Sequence, residues 1–373
     1  MTTLDQNRLV TKVDSLGQIR QLVEDDSFIG IRNLAPFREV SSDDVIFQYV
    51  MPEVSGLAPA RAEDAEAEMT KYDDSIGHGR ASLIDWSLKD RYAASDVTRY
   101  REFLRMALQA GSGTFSLSAT SMTEDFQAKL AGDARRRKEM LDNRLEWLAV
   151  TGAFTNAISY NDGNIVFSTS FGRPAAQTAA APPGGTWNLT TSDPIGDIEA
   201  MNEFMFLTYG VRMKEAYTSE KVLRNILNSD RFAARSGLAG ATGSVPIDPK
   251  YLIDGWGWAA AQRVVEAATG VKILPYDAVY RTRAIGSKTM VVNRFSDERD
   301  ILFMPPRAVI DGISDLGFGA TLTSPHPEGN FTHGFYEWET ETKDPWQTVR
   351  GTGIKGFPVY PHLEMSYVMR VLP

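Results

Sequence analysis

Residues 182–201, PPGGTWNLTTSDPIGDIEAM, constrain the fold more than any other stretch, because a polar linker here passes into a helix whose first residue is written in the sequence. Asp193 is placed to cap the orphan amides of a first turn, and Pro194 suits the first helical position. Asp197 and Glu199 follow where the positive end of the helix dipole favours anions. A folding unit therefore begins near residue 191. The preceding low-complexity run PAAQTAAAPPGG, 174–185, reads as the linker that closes the first half of the chain.

A chain of 373 residues is too long for one ordinary core and suits two or three sub-domains. Its 43% hydrophobic content is enough to fill them. No apolar run reaches membrane-spanning length, since Thr151, Asn156, Tyr160 and Asp162 interrupt the best candidate. The first residues are acid- and amide-bearing where an export signal needs a basic end and an apolar run, so no export is expected. The absence of cysteine excludes disulfides, thiolate metal sites and cysteine nucleophiles. A net charge of -9 argues against a dedicated nucleic-acid binder, yet it suits a container that must store and release a polyanion as well as it suits a soluble enzyme.

Residues 1–50 carry scattered apolar anchors such as Leu9, Val10, Phe28 and Ile29, too few for a core, and read as an arm that lies on something else. Residues 51–95 show partial alternation on either side of a polar turn at Asp74 to Gly79, which predicts a long two-stranded hairpin. Residues 124–158 carry the strongest helical period, with Phe126, Leu130, Ala134, Leu141, Leu145 and Leu148 on one side. Such a helix would span roughly 50 Å. Asn161, Asp162 and Gly163 then mark a hairpin turn.

In the second half Gly210 can end the Asp193 helix, and Val222, Leu223, Ile226 and Leu227 form another helical stripe. Asp248 and Pro249 repeat the cap-and-proline start of a helix stopping near Gly270. Strands are expected at VKILPY, MVVNRF, ILFMPP and ATLTS, and residues after 344 at polar loops and one terminal strand. The class is α+β.

Chemistry-bearing patterns are weak. The four histidines lack metal-site spacing, and His326 and His333 share a Gly- and Pro-containing stretch that reads as a solvated loop. GLAGATGS, 237–244, lacks the lysine of a phosphate loop, and no nucleophile elbow is present. The run Arg135, Arg136, Arg137, Lys138 reads as a solvated helix surface with acidic partners. We therefore expect no catalytic residue, no cofactor and no metal site, and no enzymatic role. Trp86, Trp187, Trp338 and Trp346 lie in polar, loop-like or hairpin-like surroundings, where large aromatics often serve as interface anchors; Met69 and Tyr72 in the hairpin complete the candidate subunit-interface set.

The 182–201 motif resembles, in residue types and order, the corresponding segment of lambda-like phage major capsid proteins, the protein E family. Gly184, Gly185, Trp187, Asp193, Pro194, Asp197, Ile198, Glu199 and Ala200 carry that resemblance. It continues through TGVKILPYDAVY, ILFMPPRAVI, DLGFGATLTSP and GFPVYPHLEMSYVMRV, and in the first half through RNLAPFREVSSDDVIF and LAPAR, so it covers nearly the whole chain.

The resemblance implies the Hong Kong 97 capsid fold. Its parts would be an N-terminal arm (1–50), an extended hairpin loop (51–95), a peripheral domain (96–190) with spine helix 124–158, an axial domain (191–330) and a C-terminal return (331–373). It further implies the major head protein of a tailed bacteriophage, assembling as hexamers and pentamers into an icosahedral shell around double-stranded DNA. The implied setting is the virion, with assembly in the host bacterial cytoplasm. Implied partners are other copies of the chain, a separate scaffold protein, a portal, a decoration protein and weakly held DNA, with no membrane. An encapsulin-like nanocompartment with a protein cargo, and more remotely a soluble α/β hydrolase, are the competing readings.

Overall fold

The computed structural model describes residues 27–50, 76–93, 95, 98–99, 102, 114–161, 166–235, 252–283, 288–307, 309, 316–329, 333–343 and 346–373. In chain order the first half supplies β1 (Phe37–Glu39), β2 (Asp44–Val50), β3 (Ile76–Ser82), β4 (Asp85–Ala93), α1 (Thr114–Thr155), β5 (Ala157–Asn161), β6 (Val166–Ser170) and β7 (Thr178–Ala179). The second half begins with α2 (Pro194–Tyr209), β8 (Glu215–Thr218), α3 (Glu220–Asn228), α4 (Asp230–Arg235), α5 (Leu252–Trp256) and α6 (Trp258–Thr269). It ends with β9 (Lys272–Pro275), β10 (Val279–Thr282), β11 (Val291–Arg294), β12 (Asp300–Met304), β13 (Ala320–Thr323), β14 (Phe335–Lys343), β15 (Trp346–Val359) and β16 (Tyr367–Arg370). The chain divides into two compact units, one of residues 1–45, 81–148 and 321–358, the other of 46–80, 149–320 and 359–373.

The first unit is a five-stranded sheet covered by α1. Strand β15 runs antiparallel to both β14 and β4 along residues 347–354, and β13 joins it to the short parallel strand β1. The tail read as polar loops is thus a 14-residue strand. The glycines of RGTGIKG hid it, and the register explains them: Gly351 lies opposite Trp338 and Gly353 opposite Tyr336. A Cβ at Gly351 would fall 2.2 Å from the Trp338 ring and one at Gly353 2.5 Å from Tyr336. Aromatic rings on one strand cover bare backbone on the next, an arrangement that restores packing to glycine in a sheet.

Helix α1 is longer than expected at its start and shorter at its end. It covers 42 residues, Gly132 included, and spans roughly 60 Å. It stops at Thr155 because Asn156 adopts a left-handed φ of 64° that a helix cannot continue. The orphan carbonyls are then met by Arg173, whose guanidinium donates to the carbonyls of Ala153 and Phe154 and to Ser366 Oγ. Burial pulls this guanidinium down to about 10. Leu130, Ala134, Leu141, Leu145 and Leu148 are all buried, as the period requires, while the Phe126 side chain lies outside the described residues. The strands flanking the expected turn, β5 and β6, pair as a ribbon of their own and are not part of the sheet under α1; the turn at Asp162 and Gly163 lies outside the described residues.

The second unit is a mixed five-stranded sheet of order β7-β16-β12-β8-β9. Its core joins Ile195, Ile198, Met201 and Met205 of α2 to Val222, Leu223, Ile226 and Leu227 of α3 and to Ile301 and Phe303 of β12. The α2 start is as its sequence dictates: Asp193 Oδ1 accepts from Gly196 N at 3.1 Å, Pro194 opens the helix, and Gly210 closes it at φ 70°. We expect Asp193→Ala to cost about 1 kcal/mol, read as a lowered denaturant midpoint with unchanged slope.

The supposed linker 174–185 does structural work, since Thr178 and Ala179 add a parallel edge strand to this sheet. The expected helix ending near Gly270 does end there, at φ 71°, but Gly257 at φ 78° divides it into α5 and α6. Its start at Asp248, and the glycine run 237–244, lie outside the described residues. The four strands expected at VKILPY, MVVNRF, ILFMPP and ATLTS are β9, β11, β12 and β13.

Candidate assembly surfaces

Four polar devices fix the frame of the two units. In the first unit Glu146, fully buried on α1, accepts from the amides of Ile29, Gly30 and Ile31 at 3.0, 2.9 and 2.9 Å. These amides open a single π-helical turn, Gly30–Leu34, with Ile29 as its N-cap and with Ile31 and Leu34 buried. Three donors aimed at one carboxylate clamp this segment onto the helix. Residues 28–40 of the expected arm are therefore held within their own unit; residues 1–26 lie outside the described residues.

The second device is an ion network under α1. Arg137, 2% exposed, donates to Thr352 Oγ1 at 2.9 Å, Asp90 Oδ2 at 2.6 Å and Glu337 Oε1 at 3.1 Å, and so touches β15, β4 and β14 at once. Arg350 donates to the same Glu337 oxygen at 3.2 Å. Lys138 pairs with Asp142 at 2.7 Å and lies over the Phe335 ring. The expectation of a solvated basic run holds for Arg135 and Arg136, which are exposed beside Glu139, Asp90 and Asp133, and fails for Arg137 and Lys138. The reason is the 100° step of a helix, which turns two of four consecutive residues inward.

The third device ties the start of β2 to the end of β3 and to the sheet of the first unit. Asp43 accepts from Ser324 Oγ at 2.8 Å and pairs with Lys355 at 2.5 Å, and Ser82 Oγ donates to Asp44 at 2.6 Å. Strands β2 and β3 pair with each other. Within the stretch expected to form a hairpin, 51–95, Ile76–Ser82 and Asp85–Ala93 are strands, so the turn expected at Asp74 to Gly79 is strand from Ile76 onward. Residues 51–75, with Met69 and Tyr72, lie outside the described residues.

In the second unit Asp197 gathers the opening motif. Its carboxylate accepts from Gly184 N at 2.8 Å and Trp187 Nε1 at 2.9 Å, and a Cβ at Gly184 would meet it at 3.0 Å. Burial pushes the Asp197 carboxyl above the usual range. On the same unit's surface Asp297 is bonded by Arg299 and Arg370, which hold its carboxyl below that range. A depressed folded-state pKa contributes stability above the unfolded value of about 3.9 and loses it as pH falls through the folded one. Asp297→Asn should accordingly flatten the fall of melting temperature between about pH 4 and the acid limit; an unchanged acid limb in a melting series would contradict this.

The tryptophan set divides. Trp187 is 1% exposed, with its indole hydrogen-bonded to Asp197, and Trp86 is buried, with Nε1 donating to the Gly356 carbonyl at 3.1 Å. Both are core residues, a correction to their reading as interface anchors: each indole N–H found its acceptor in its own unit. Trp338 is half-buried over Gly351 in a stack with Tyr336, and the Trp346 side chain lies outside the described residues. His326 stacks on Tyr336 at 4.1 Å, and His333 Nε2 lies 3.3 Å from the Val40 carbonyl, so these two histidines are engaged separately and are not a loop free in solvent. Among the described residues no cluster of three or more metal-ligating side chains forms, and no helix is long and apolar enough to cross a membrane.

The exposed apolar side chains missed in the sequence belong mainly to the second unit. Phe204, Phe206 and Leu207 project from the end of α2, and Val279, Met290, Val291 and Val292 from the β10–β11 hairpin. The signal was available in FMFLTYG, where apolar residues occupy every side of one helical turn and a single core can cover only one.

No protein-family model and no curated protein matches the sequence. Among solved structures, the chain is similar to the putative capsid protein of a prophage of Escherichia coli CFT073, at 13% identity and a TM-score of 0.56 over 97% of this chain and 99% of that one. A phage-related protein from Bordetella bronchiseptica RB50 aligns at 13% identity and a TM-score of 0.49 over 97% of both chains. A virus-like particle protein from Pyrococcus furiosus aligns at 7% identity and a TM-score of 0.40 over 96% of both. The first of these likenesses shows the fold: the chain shares the α+β, Hong Kong 97-type fold of that prophage protein.

Proposed function

We propose that this chain is the major head protein of a tailed bacteriophage, building an icosahedral shell of hexamers and pentamers around double-stranded DNA. The observation that carries the reading is the fold match to the putative capsid protein of a prophage, over 97% of this chain and 99% of that one. The second unit, with its exposed apolar groups, is the axial domain, and the first, with α1 as spine, the peripheral domain. The β2–β3 legs carry the extended loop toward a neighbouring copy. A net charge of -9 suits weak, sequence-independent contact with the packaged DNA. Scaffold, portal and decoration proteins are the further partners, the virion is the destination, and the host bacterial cytoplasm is the place of assembly.

Expression of the chain with the neighbouring genes of its genome, followed by electron microscopy and nuclease treatment of the purified material, tests this. Closed particles holding nuclease-protected double-stranded DNA are the expected result. Closed particles filled with a protein cargo and no DNA would replace the phage reading by the nanocompartment one.

A further inference from the structure

We infer that the outer face of α2 is the seat of the β10–β11 hairpin of a second copy of this chain, a head-to-tail contact that repeats around a ring. The inference rests on the shell reading above and names the two surfaces that meet. Helix α2 carries apolar side chains beyond its core stripe: Ile195, Ile198, Met201 and Met205 fill its own core, while Phe206, under the Arg212 guanidinium, and Leu207, at 77% exposure, face outward, with partly exposed Phe204 edge-on to Tyr367. A helix of that composition is stable when both sides are covered. On the same outward side, at helical spacing, stand the exposed acids Glu199 and Glu203.

The hairpin has the complementary character. It is a two-stranded ribbon outside the larger sheets, a form that is marginal without something to lie on. Successive residues of a strand point to opposite faces, so exposed Val291 and Val292 make both faces of the ribbon apolar. The face with Tyr280 and Asn293 is half-buried, Tyr280 lying against buried Phe295 of its own unit, and the opposite face, with Val279, Arg281 and Val292, is the exposed one. Its exposed charged residues are bases, Arg281, Arg283, Lys288 and Arg294, the last paired with Asp277, and they are opposite in sign to the α2 acids. Both surfaces remain exposed in one copy, so neither covers the other within the chain. Two different patches that are complementary make a heterologous contact, and heterologous contacts close rings when the rotation permits. A dimer that set α2 against α2 and hairpin against hairpin is disfavoured by like charges, and a two-fold pairing of α2 with the hairpin would stop at linked dimers where a ring gives longer ladders.

The chain has no cysteine, so introduced thiols report without background. Three double variants of the full chain, Leu207→Cys with Val279→Cys, Met290→Cys or Val292→Cys, are assembled, oxidised and run on a non-reducing gel. The expected result is a ladder of linked chains for at least one pair, collapsed by reductant, with the single-cysteine variants remaining monomeric on the gel. Normal shells that give no ladder with any pair, or single variants that link equally well, overturn the contact while leaving the shell reading intact. Failure of the unaltered chain to form particles overturns the shell reading itself. Should the cysteines block assembly, charge reversal decides: Glu199→Lys with Glu203→Lys should reduce particle yield several-fold, and Arg281→Glu with Arg283→Glu in the same chain should restore it. Absence of restoration overturns the pairing.

Discussion

Arg137→Ala is expected to lower the stability of the first unit by about 3 to 5 kcal/mol, the range for breaking a buried ion pair from one side. The arginine is 2% exposed and bonds one residue on each of three strands, Asp90, Thr352 and Glu337. Its loss leaves Glu337, itself buried, with one remaining bond from Arg350 and a buried Thr352 hydroxyl without its donor. Lysine should not rescue, because a point charge cannot address three partners in fixed directions. Urea denaturation reads the effect. A loss below about 1 kcal/mol would class the network with solvent-screened surface pairs and remove it as the joint between helix and sheet.

Leu145→Ala should cost about 2 to 5 kcal/mol, since the side chain is 1% exposed and its removal opens a cavity in a close-packed layer. The consequence for assembly is more specific than the loss itself. Leu145 precedes Glu146, whose carboxylate clamps the amides of residues 29–31, so a slackened helix face also loosens the clamp. A variant that keeps its far-ultraviolet spectrum but yields few or heat-labile shells is the expected phenotype. Normal yield and heat resistance would show that α1 is not a rigid strut.

What the sequence made legible was local. The α2 start could be read because its cap, proline and acids act within four residues, and the α3 stripe because its period is that of one helix against one core. The face of α1 was legible for the same reason, whereas its end was not: it depends on Asn156 turning left-handed and on Arg173, seventeen residues on, reaching back to the carbonyls. Strand β15 was missed because its glycines make sense only beside Tyr336 and Trp338 of the next strand. Trp86 and Trp187 were misassigned because the partners of their indole N–H groups, Gly356 and Asp197, are set by tertiary structure. The exposed apolar side chains of α2 and of the β10–β11 hairpin were hidden by the opposite error, since they lie in good helical and strand contexts that read as core. The fold as a whole was recognised through ordered motif resemblance, and local propensity alone reached only the α+β class.

Reconstruction of the purified, assembled protein by cryo-electron microscopy tests the central claim most directly. The expected result is closed icosahedral shells whose hexamers and pentamers are this chain, with the unit built on α2 and β12 gathered about the five- and six-fold axes. A monodisperse species of 41.3 kDa, persisting at all concentrations and in the presence of its co-expressed neighbours, would contradict it.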